Sequence, residues 1–319
     1  MKWKDAIWPC VGLAAVVLSC WILYKEVRGL SLDDIWVSFQ NVGLSQWAMS
    51  IVCALLAYAV LAYYDRLALR HLDRHVSLPF VAATSFTTYA LSHNIGASVF
   101  SGAVVRYRAY SSRGLSTSEI ALLIAFCSFT FALGILVLTA FTQLADPTMI
   151  RRYVDVDSRV PIGLAIVIIL AIGLYVFGSF KGFRPRRIGS FVIQYPRRDV
   201  VMRQLIAAPL EIVAAAGIIY FALPPEHNPG FVIVLAIFVV SFSLALVSHA
   251  PGGLGVLEVT FLTGLSDVPE TSVLAALLVF RILYLLIPFA MAIVMVLTFE
   301  QSAMRQRRRA AAGTLNPRT

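Results

Sequence analysis

The stretch His249-Ala250-Pro251-Gly252-Gly253-Leu254-Gly255-Val256-Leu257-Glu258 interrupts an otherwise apolar segment, Phe231–Leu265. Pro251 and the glycines at 252, 253 and 255 break a helix near its middle. Inside hydrocarbon, the backbone groups freed by such a break must be satisfied by protein or water, so it implies a packed interior or a wet cavity around it. A second apolar segment, Leu78–Val105, is interrupted in the same way by Asn94, Gly96 and Gly102. The two breaks can be laid over each other. Leu91-Ser92-His93-Asn94-Ile95-Gly96 and Val247-Ser248-His249-Ala250-Pro251-Gly252 both read apolar-Ser-His-x-x-Gly, at an offset of 156 residues in a chain of 319.

Outward from these breaks the chain is that of a membrane protein. Hydrophobic residues make up 59% and charged residues 13%, and the mean hydropathy is +0.82. A soluble domain carries roughly 25% charge. Disorder is therefore excluded, the balance is strongly against a soluble globular fold, and four cysteines exclude a disulfide scaffold. A spanning helix needs roughly 20 mostly apolar residues. Six stretches qualify: Ile7–Tyr24, Trp47–Tyr64, Glu119–Ala140, Pro161–Phe180, Met202–Leu223 and Thr271–Phe299. The first follows Lys2 and Lys4 but is long for a signal peptide and has no small-residue cleavage site after it, so it reads as a retained anchor.

Charge placement sets the expected orientation. Twenty of the 26 Lys and Arg fall before the first span, in the connections 65–77, 106–118 and 181–203, and in the tail, while five fall in the other connections and Arg281 lies inside a span. That split arises if both termini are cytoplasmic, six segments cross, and each interrupted segment enters and leaves on one face. The net charge of +9 then belongs to the cytoplasmic surface beside anionic lipid rather than to a nucleic-acid site. The expected architecture is all-α: a polytopic membrane domain, residues 1–300, with re-entrant hairpins near 78–105 and 231–265. A basic cytoplasmic tail, 301–319, follows. One hairpin enters from the cytoplasm and the other from outside, which makes an inverted repeat of the kind transporters build around a site at mid-membrane.

The chemistry available is sparse. His71 and His75 stand four apart on a short polar connection without an HExxH pattern, and read as interfacial residues rather than metal ligands. Cys10, Cys20, Cys53 and Cys127 lie in apolar runs and read as packing residues. No phosphate-binding G-x-x-x-x-G-K-[ST] loop occurs, and no cofactor or metal is expected. What remains is intramembrane charge. Arg281 lies ten residues into its span, a depth of ~15 Å in a ~30 Å core. Glu211 lies at similar depth, Glu258 opens the second half-helix, and Arg106 and Arg108 follow the first break. Such charges need a partner or a wet cavity. Glu258 is the preferred partner of Arg281, with Glu211 as rival. His93 and His249 at the breaks either cap the broken helices or titrate, and with Glu211 they are the candidates for proton coupling. A half-helix N-terminus, with Pro251 in its first turn and glycines allowing close backbone approach, would join Arg106, Arg108 and Arg281 in a phosphate cradle. Tyr107, Tyr110 and Tyr284 are either headgroup ligands or interfacial anchors.

At these residues the chain resembles the YbhN-like inner-membrane proteins, related to the transmembrane flippase domain of lysylphosphatidylglycerol synthase (the multiple peptide resistance factor). The resemblance is carried by Val104-Val105-Arg106-Tyr107-Arg108-Ala109-Tyr110, by the stretch from His249 to Glu258, by Arg281-Ile282-Leu283-Tyr284-Leu285-Leu286-Ile287-Pro288, and by Asn94 through Gly102. It implies a multi-pass protein of the bacterial inner membrane that moves a phospholipid or other polar-headed lipid between leaflets. Arg106, Arg108, Tyr110, Glu258, Arg281 and Tyr284 would form its binding groups, and Asn94, Gly96, Pro251, Gly252, Gly253 and Gly255 its helix breaks. In the larger relatives an aminoacyl-transferase domain follows the membrane part. Here a basic tail follows Phe299, so no lysyl transfer is expected and the substrate is open. The alternatives are a membrane-embedded lipid-modifying transferase with Glu258 as base, and a non-transporting partner of a lipid synthase.

Overall fold

The computed structural model describes residues 32–95, 98–154, 157–181, 186–188, 191–193, 195–248 and 251–298. The expected first span, Gly96, His249 and the basic tail lie outside the described residues. The protein is a helical polytopic membrane protein, and five of its described helices are long and apolar enough to cross a bilayer. They are α2 (Leu44–His71), α5 (Thr117–Ala145), α6 (Arg159–Lys181), α7 (Arg198–Ala222) and α10 (Glu270–Thr298), and they coincide with the five remaining expected spans. A short helix, α1 (Leu32–Gln40), precedes α2, and a two-stranded hairpin, Arg186–Ile188 with Phe191–Ile193, sits between α6 and α7.

The central element is α7, 61% buried over its apolar window, whereas α6 is 17% buried and turns most of its surface to lipid. Helix α2 lies antiparallel along α7. Three α2 side chains donate to carbonyls of α7 and its C-cap in descending register: Gln46 Nε2 to the C-cap Leu223 at 2.8 Å, Ser50 Oγ to Ile218 at 3.0 Å, and Tyr64 Oη to Ala208 at 2.9 Å. Lipid tails are as apolar as leucine, so contacts of this kind and close backbone approach, rather than the hydrophobic effect, hold membrane helices together. Gly134 of α5 shows that approach, since a Cβ there would collide with the backbone of Ala208. Gly134→Leu should therefore force α5 and α7 apart at a cost of about 1–3 kcal/mol. A thermal unfolding scan in detergent will show the loss, and an unchanged midpoint would mean that the two backbones do not meet there.

The two interrupted segments are helical hairpins. The first has arms α3 (Leu78–Ile95) and α4 (Ser98–Ser111), the second has arms α8 (Phe231–Ser248) and α9 (Val256–Gly264), and within each the arms pack side by side. They insert from opposite ends. The first opens at the end where Arg70 pairs with Asp199 and Arg74 with Glu119, each at 2.6 Å. The second opens where Arg152 Nη1 and Tyr153 Oη donate to the carbonyls of Gly264 and Thr260, at 2.5 and 3.0 Å. Span α2, the first hairpin and α5 are thus repeated, inverted, as α7, the second hairpin and α10.

One boundary differs from the sequence reading in a way that matters. Helix α2 continues to His71, so Asp65 is a fully buried helical residue rather than the start of a polar loop. His71 closes this helix and stacks on Phe126, with centroids 5.4 Å apart.

Candidate functional site

The hairpin tips meet against α10, which is not a regular helix there. Arg281–Leu286 forms a π-helical turn. Pro288 has no N–H to return to the carbonyl of Tyr284, and Tyr58 Oη donates to that carbonyl instead, at 3.0 Å. The next carbonyl, of Leu285, accepts from Asn94 Nδ2 at the tip of the first hairpin, at 3.1 Å, while the same amide also donates to the Ala90 carbonyl at 2.8 Å. The second tip reaches the same turn. Gly252, Gly253 and Gly255 have φ of 61, 65 and 77°, left-handed values that a β-carbon would penalise. This backbone brings the Gly252 carbonyl to 3.4 Å from Arg281 Nη1, and a Cβ on Gly252 would lie 3.8 Å from the His93 carbonyl.

Glu258 and Arg281 are paired. Arg281 Nε donates to Glu258 Oε1 at 2.8 Å and Nη2 donates to the same oxygen. The other oxygen, Oε2, accepts from the backbone N–H of Gly255 at 2.9 Å. Gly255 is the N-cap of α9 and Glu258 is its third residue, so the carboxylate caps its own half-helix while neutralising the arginine of the neighbouring span. Pro251, expected in the first turn of this helix, instead opens the preceding 3₁₀ turn, Pro251–Gly253. Positive φ at Gly255 delays the α-helix to Val256.

The rival pairing is not formed. Glu211, 2% exposed, accepts from Tyr284 Oη at 2.6 Å through Oε1, and its Oε2 has no partner. His93 lies over Tyr284, with ring centroids 5.1 Å apart, and its Nδ1 is buried without a partner. The hydroxyls of Ser85, Thr88 and Ser92, at helical spacing on α3, are also buried without partners.

The expected cradle of three arginines is not assembled. Arg106 is 5% exposed and binds Asp65, through Nη2 to Oδ1 at 2.6 Å and Nε to Oδ2 at 3.3 Å. Tyr110 Oη donates to Asp65 Oδ2 at 2.8 Å, and Cys127 Sγ lies 3.3 Å from Oδ1. Tyr110 and Tyr284 are therefore buried donors to carboxylates rather than interfacial anchors, and Cys127 does more than fill space. Arg108 and Tyr107 are exposed. From Arg106, contacts lead to the Tyr89 ring at 4.8 Å, from there to His93 at 5.8 Å, and on to Tyr284. Asp65 is the site residue that sequence reasoning missed. Its only signal was an acid at the end of a long apolar run, one residue short of Arg66. Each return arm is thus pinned to a flanking span by an ion pair, α4 to α2 through the buried Arg106–Asp65 and α9 to α10 through the part-buried Glu258–Arg281. No group of three or more His, Cys, Asp or Glu side chains able to hold a metal occurs among the described residues.

These features define an inverted-repeat membrane protein with two opposed hairpins closed over ionised side chains. The family model for the lysylphosphatidylglycerol synthase TM region matches residues 11–292, and the chain belongs to this family. It is 30% identical over 307 residues to the uncharacterized protein slr0712 of Synechocystis sp., covering 95% of each chain. It is 26% identical over 313 residues to the inner membrane protein YbhN of Escherichia coli K12, covering 96% of each. With the phosphatidylglycerol lysyltransferase of Staphylococcus aureus the identity is 24% over 278 residues, which is 86% of this chain and 32% of that protein.

Proposed function

We propose that this protein translocates a phospholipid or another polar-headed lipid between the leaflets of a bacterial inner membrane, with both termini in the cytoplasm. The observation that carries this reading is Glu258, held between the Arg281 guanidinium and the N-terminus of a half-helix where the hairpin tips meet. A guanidinium and a free helix N-terminus together are what a phosphate binds, and the protein's own carboxylate occupies that place. A lipid phosphate entering there takes over both interactions as Glu258 swings away, and the carboxylate returns when the lipid leaves. Arg281 keeps an anionic partner throughout, and the displaced Glu258 carboxylate takes up a proton as it leaves and gives it back on return, because an uncompensated ion at this depth costs several kcal/mol. A cationic headgroup would meet Glu258 instead. Glu211 and His93 would take up a proton during the cycle, a role supported by the one buried polar atom that each leaves unbonded. Membership in a family named for lysylphosphatidylglycerol synthase supports a lipid substrate, and a separate lipid-synthesis enzyme would supply it.

The transferase alternative finds less support, because both Glu258 oxygens are already engaged, as suits a latch rather than a base. The test is exchange of fluorescent phospholipid across proteoliposome leaflets. Wild-type protein should exchange lipid, and Arg281→Ala should slow exchange by at least about tenfold, the equivalent of one charge-assisted hydrogen bond. Unchanged exchange in a folded Arg281→Ala protein would remove Arg281 from the mechanism, and wild-type protein without exchange would defeat the reading.

A further inference from the structure

A second feature lies outside the hairpins. Helices α2 and α7 part along their lipid-facing side to leave a groove of about 400 Å³, lined by Ala59, Val60, Tyr63, Arg203, Ala207 and Leu210, with Ile206 on its rim. The buried side chains of Val60 and Ala207 form its floor, while Ile206 and Leu210 are exposed along its edge. It shares no residue with the hairpin tips. The walls are apolar except at one end, where Arg203 Nη1 donates to Tyr63 Oη at 3.2 Å. Arg203 is the sixth residue of α7, counted from the end that carries the Arg70–Asp199 pair. The polar end therefore stands at headgroup level, and the groove runs inward from it by about 10 Å, the rise of the seven residues from Arg203 to Leu210.

We infer that this groove is a phospholipid site of the cytoplasmic leaflet, selective for anionic headgroups. The acyl chain lies over Val60 and Ala207, and the phosphate and headgroup oxygens receive the Arg203 guanidinium and the Tyr63 hydroxyl. The charge decides the occupant: Arg203 shares its nearest carboxylate, Asp199, with Arg70, so two guanidiniums meet one acid at this end, and an anionic lipid supplies the second counter-charge where an apolar transmembrane helix would not. Leu210, where the groove ends, is next in sequence to the buried Glu211, so a lipid held here has its acyl chain at that depth and its phosphate about 10 Å short of it, and the groove serves as a holding site before delivery to the hairpin tips. That role in delivery rests on the translocation reading; the binding itself does not.

The test uses the full chain in phosphatidylcholine vesicles containing a phosphatidylglycerol whose acyl chain carries a diazirine. Photolysis should label peptides containing Ala59–Tyr63 and Ile206–Leu210. Unlabelled phosphatidylglycerol should compete and phosphatidylcholine should not. Arg203→Gln should reduce labelling about tenfold, the loss of one charge-assisted contact. Ala59→Trp, at an exposed position that tolerates bulk, should block the groove to either lipid. Labelling that is unchanged in both variants overturns the site, as does efficient cross-linking of Ala59→Cys to a second copy of the chain, which would make this face a protein interface. Leaflet exchange measured in the same vesicles separates the two ideas. Selective labelling without exchange keeps the groove and defeats translocation, whereas exchange without selective labelling does the reverse.

Discussion

Asp65→Ala should destabilise the protein by about 3–5 kcal/mol, the cost of stranding one member of a buried ion pair. Asp65 is fully buried and Arg106 is 5% exposed, so water cannot take the place of the lost carboxylate. The arginine is fixed from two sides, by Asp65 and by the Tyr89 ring, and cannot reach the surface without pulling α4 out of register. Tyr110 and Cys127 lose their acceptor in the same step. Removing both charges is a different matter, since apolar replacements of similar volume are often neutral for a buried pair. Asp65→Leu with Arg106→Met should therefore recover much of the loss, and adding Tyr110→Phe should recover more by removing the orphaned hydroxyl. Thermal unfolding in detergent, followed by intrinsic fluorescence, measures all four proteins. A single variant as stable as the wild type would mean that the pair is solvated and the hairpin is not pinned there.

Glu258→Gln should act in the opposite direction on binding and on transport. The amide oxygen of glutamine can still accept from the Gly255 N–H, so the half-helix keeps its cap. The negative charge that neutralises Arg281 is lost, and the guanidinium is left to the nearest anion. Anionic lipid should bind the variant at least about tenfold more tightly, because it no longer competes with an internal carboxylate and gains a charge-assisted contact. Leaflet exchange should fall by a similar factor, since nothing remains to displace the lipid. Arg281→Ala, by contrast, should lose binding and exchange together. Equilibrium binding of a fluorescent phosphatidylglycerol in detergent micelles, paired with exchange in vesicles, distinguishes the two variants. Weaker binding by Glu258→Gln would show that the carboxylate recruits lipid rather than standing in for it.

The described spans were legible because each is a local property, a run of apolar residues long enough for a bilayer. The hairpins were legible because Pro251 and its neighbouring glycines, and Asn94 with Gly96, interrupt two apolar runs of the sequence with residue types that disfavour a helix interior. The match between Leu91–Gly96 and Val247–Gly252, taken with the charge asymmetry of the connections, carried the inverted repeat, and Glu258 was preferred over the equally deep Glu211 as partner of Arg281 because it opens the second half-helix. The arrangement of the remaining charges was not legible. Arg106 sits 41 residues from Asp65, and nothing in the spacing of the two indicates that α2 runs on past Tyr64 to bury the acid. Treating Arg106, Arg108 and Arg281 as one cradle followed their shared sign. Their separation follows from α4 returning along α2, which turns Arg106 inward and leaves Arg108 on the surface.

Taken by itself, the amino-acid sequence determined that this chain lives in a membrane, where it crosses, and where its backbone breaks, because hydropathy, helix breakers and charge asymmetry are all read over a few neighbouring residues. Only the tertiary structure decided which carboxylate meets which cation, that Glu258 bridges Arg281 and the N-terminus of its own half-helix where the two hairpins meet, and that a groove opens between α2 and α7. Those outcomes depend on contacts between segments far apart in the chain, where rotation of a helix by one residue changes every partner a side chain can reach.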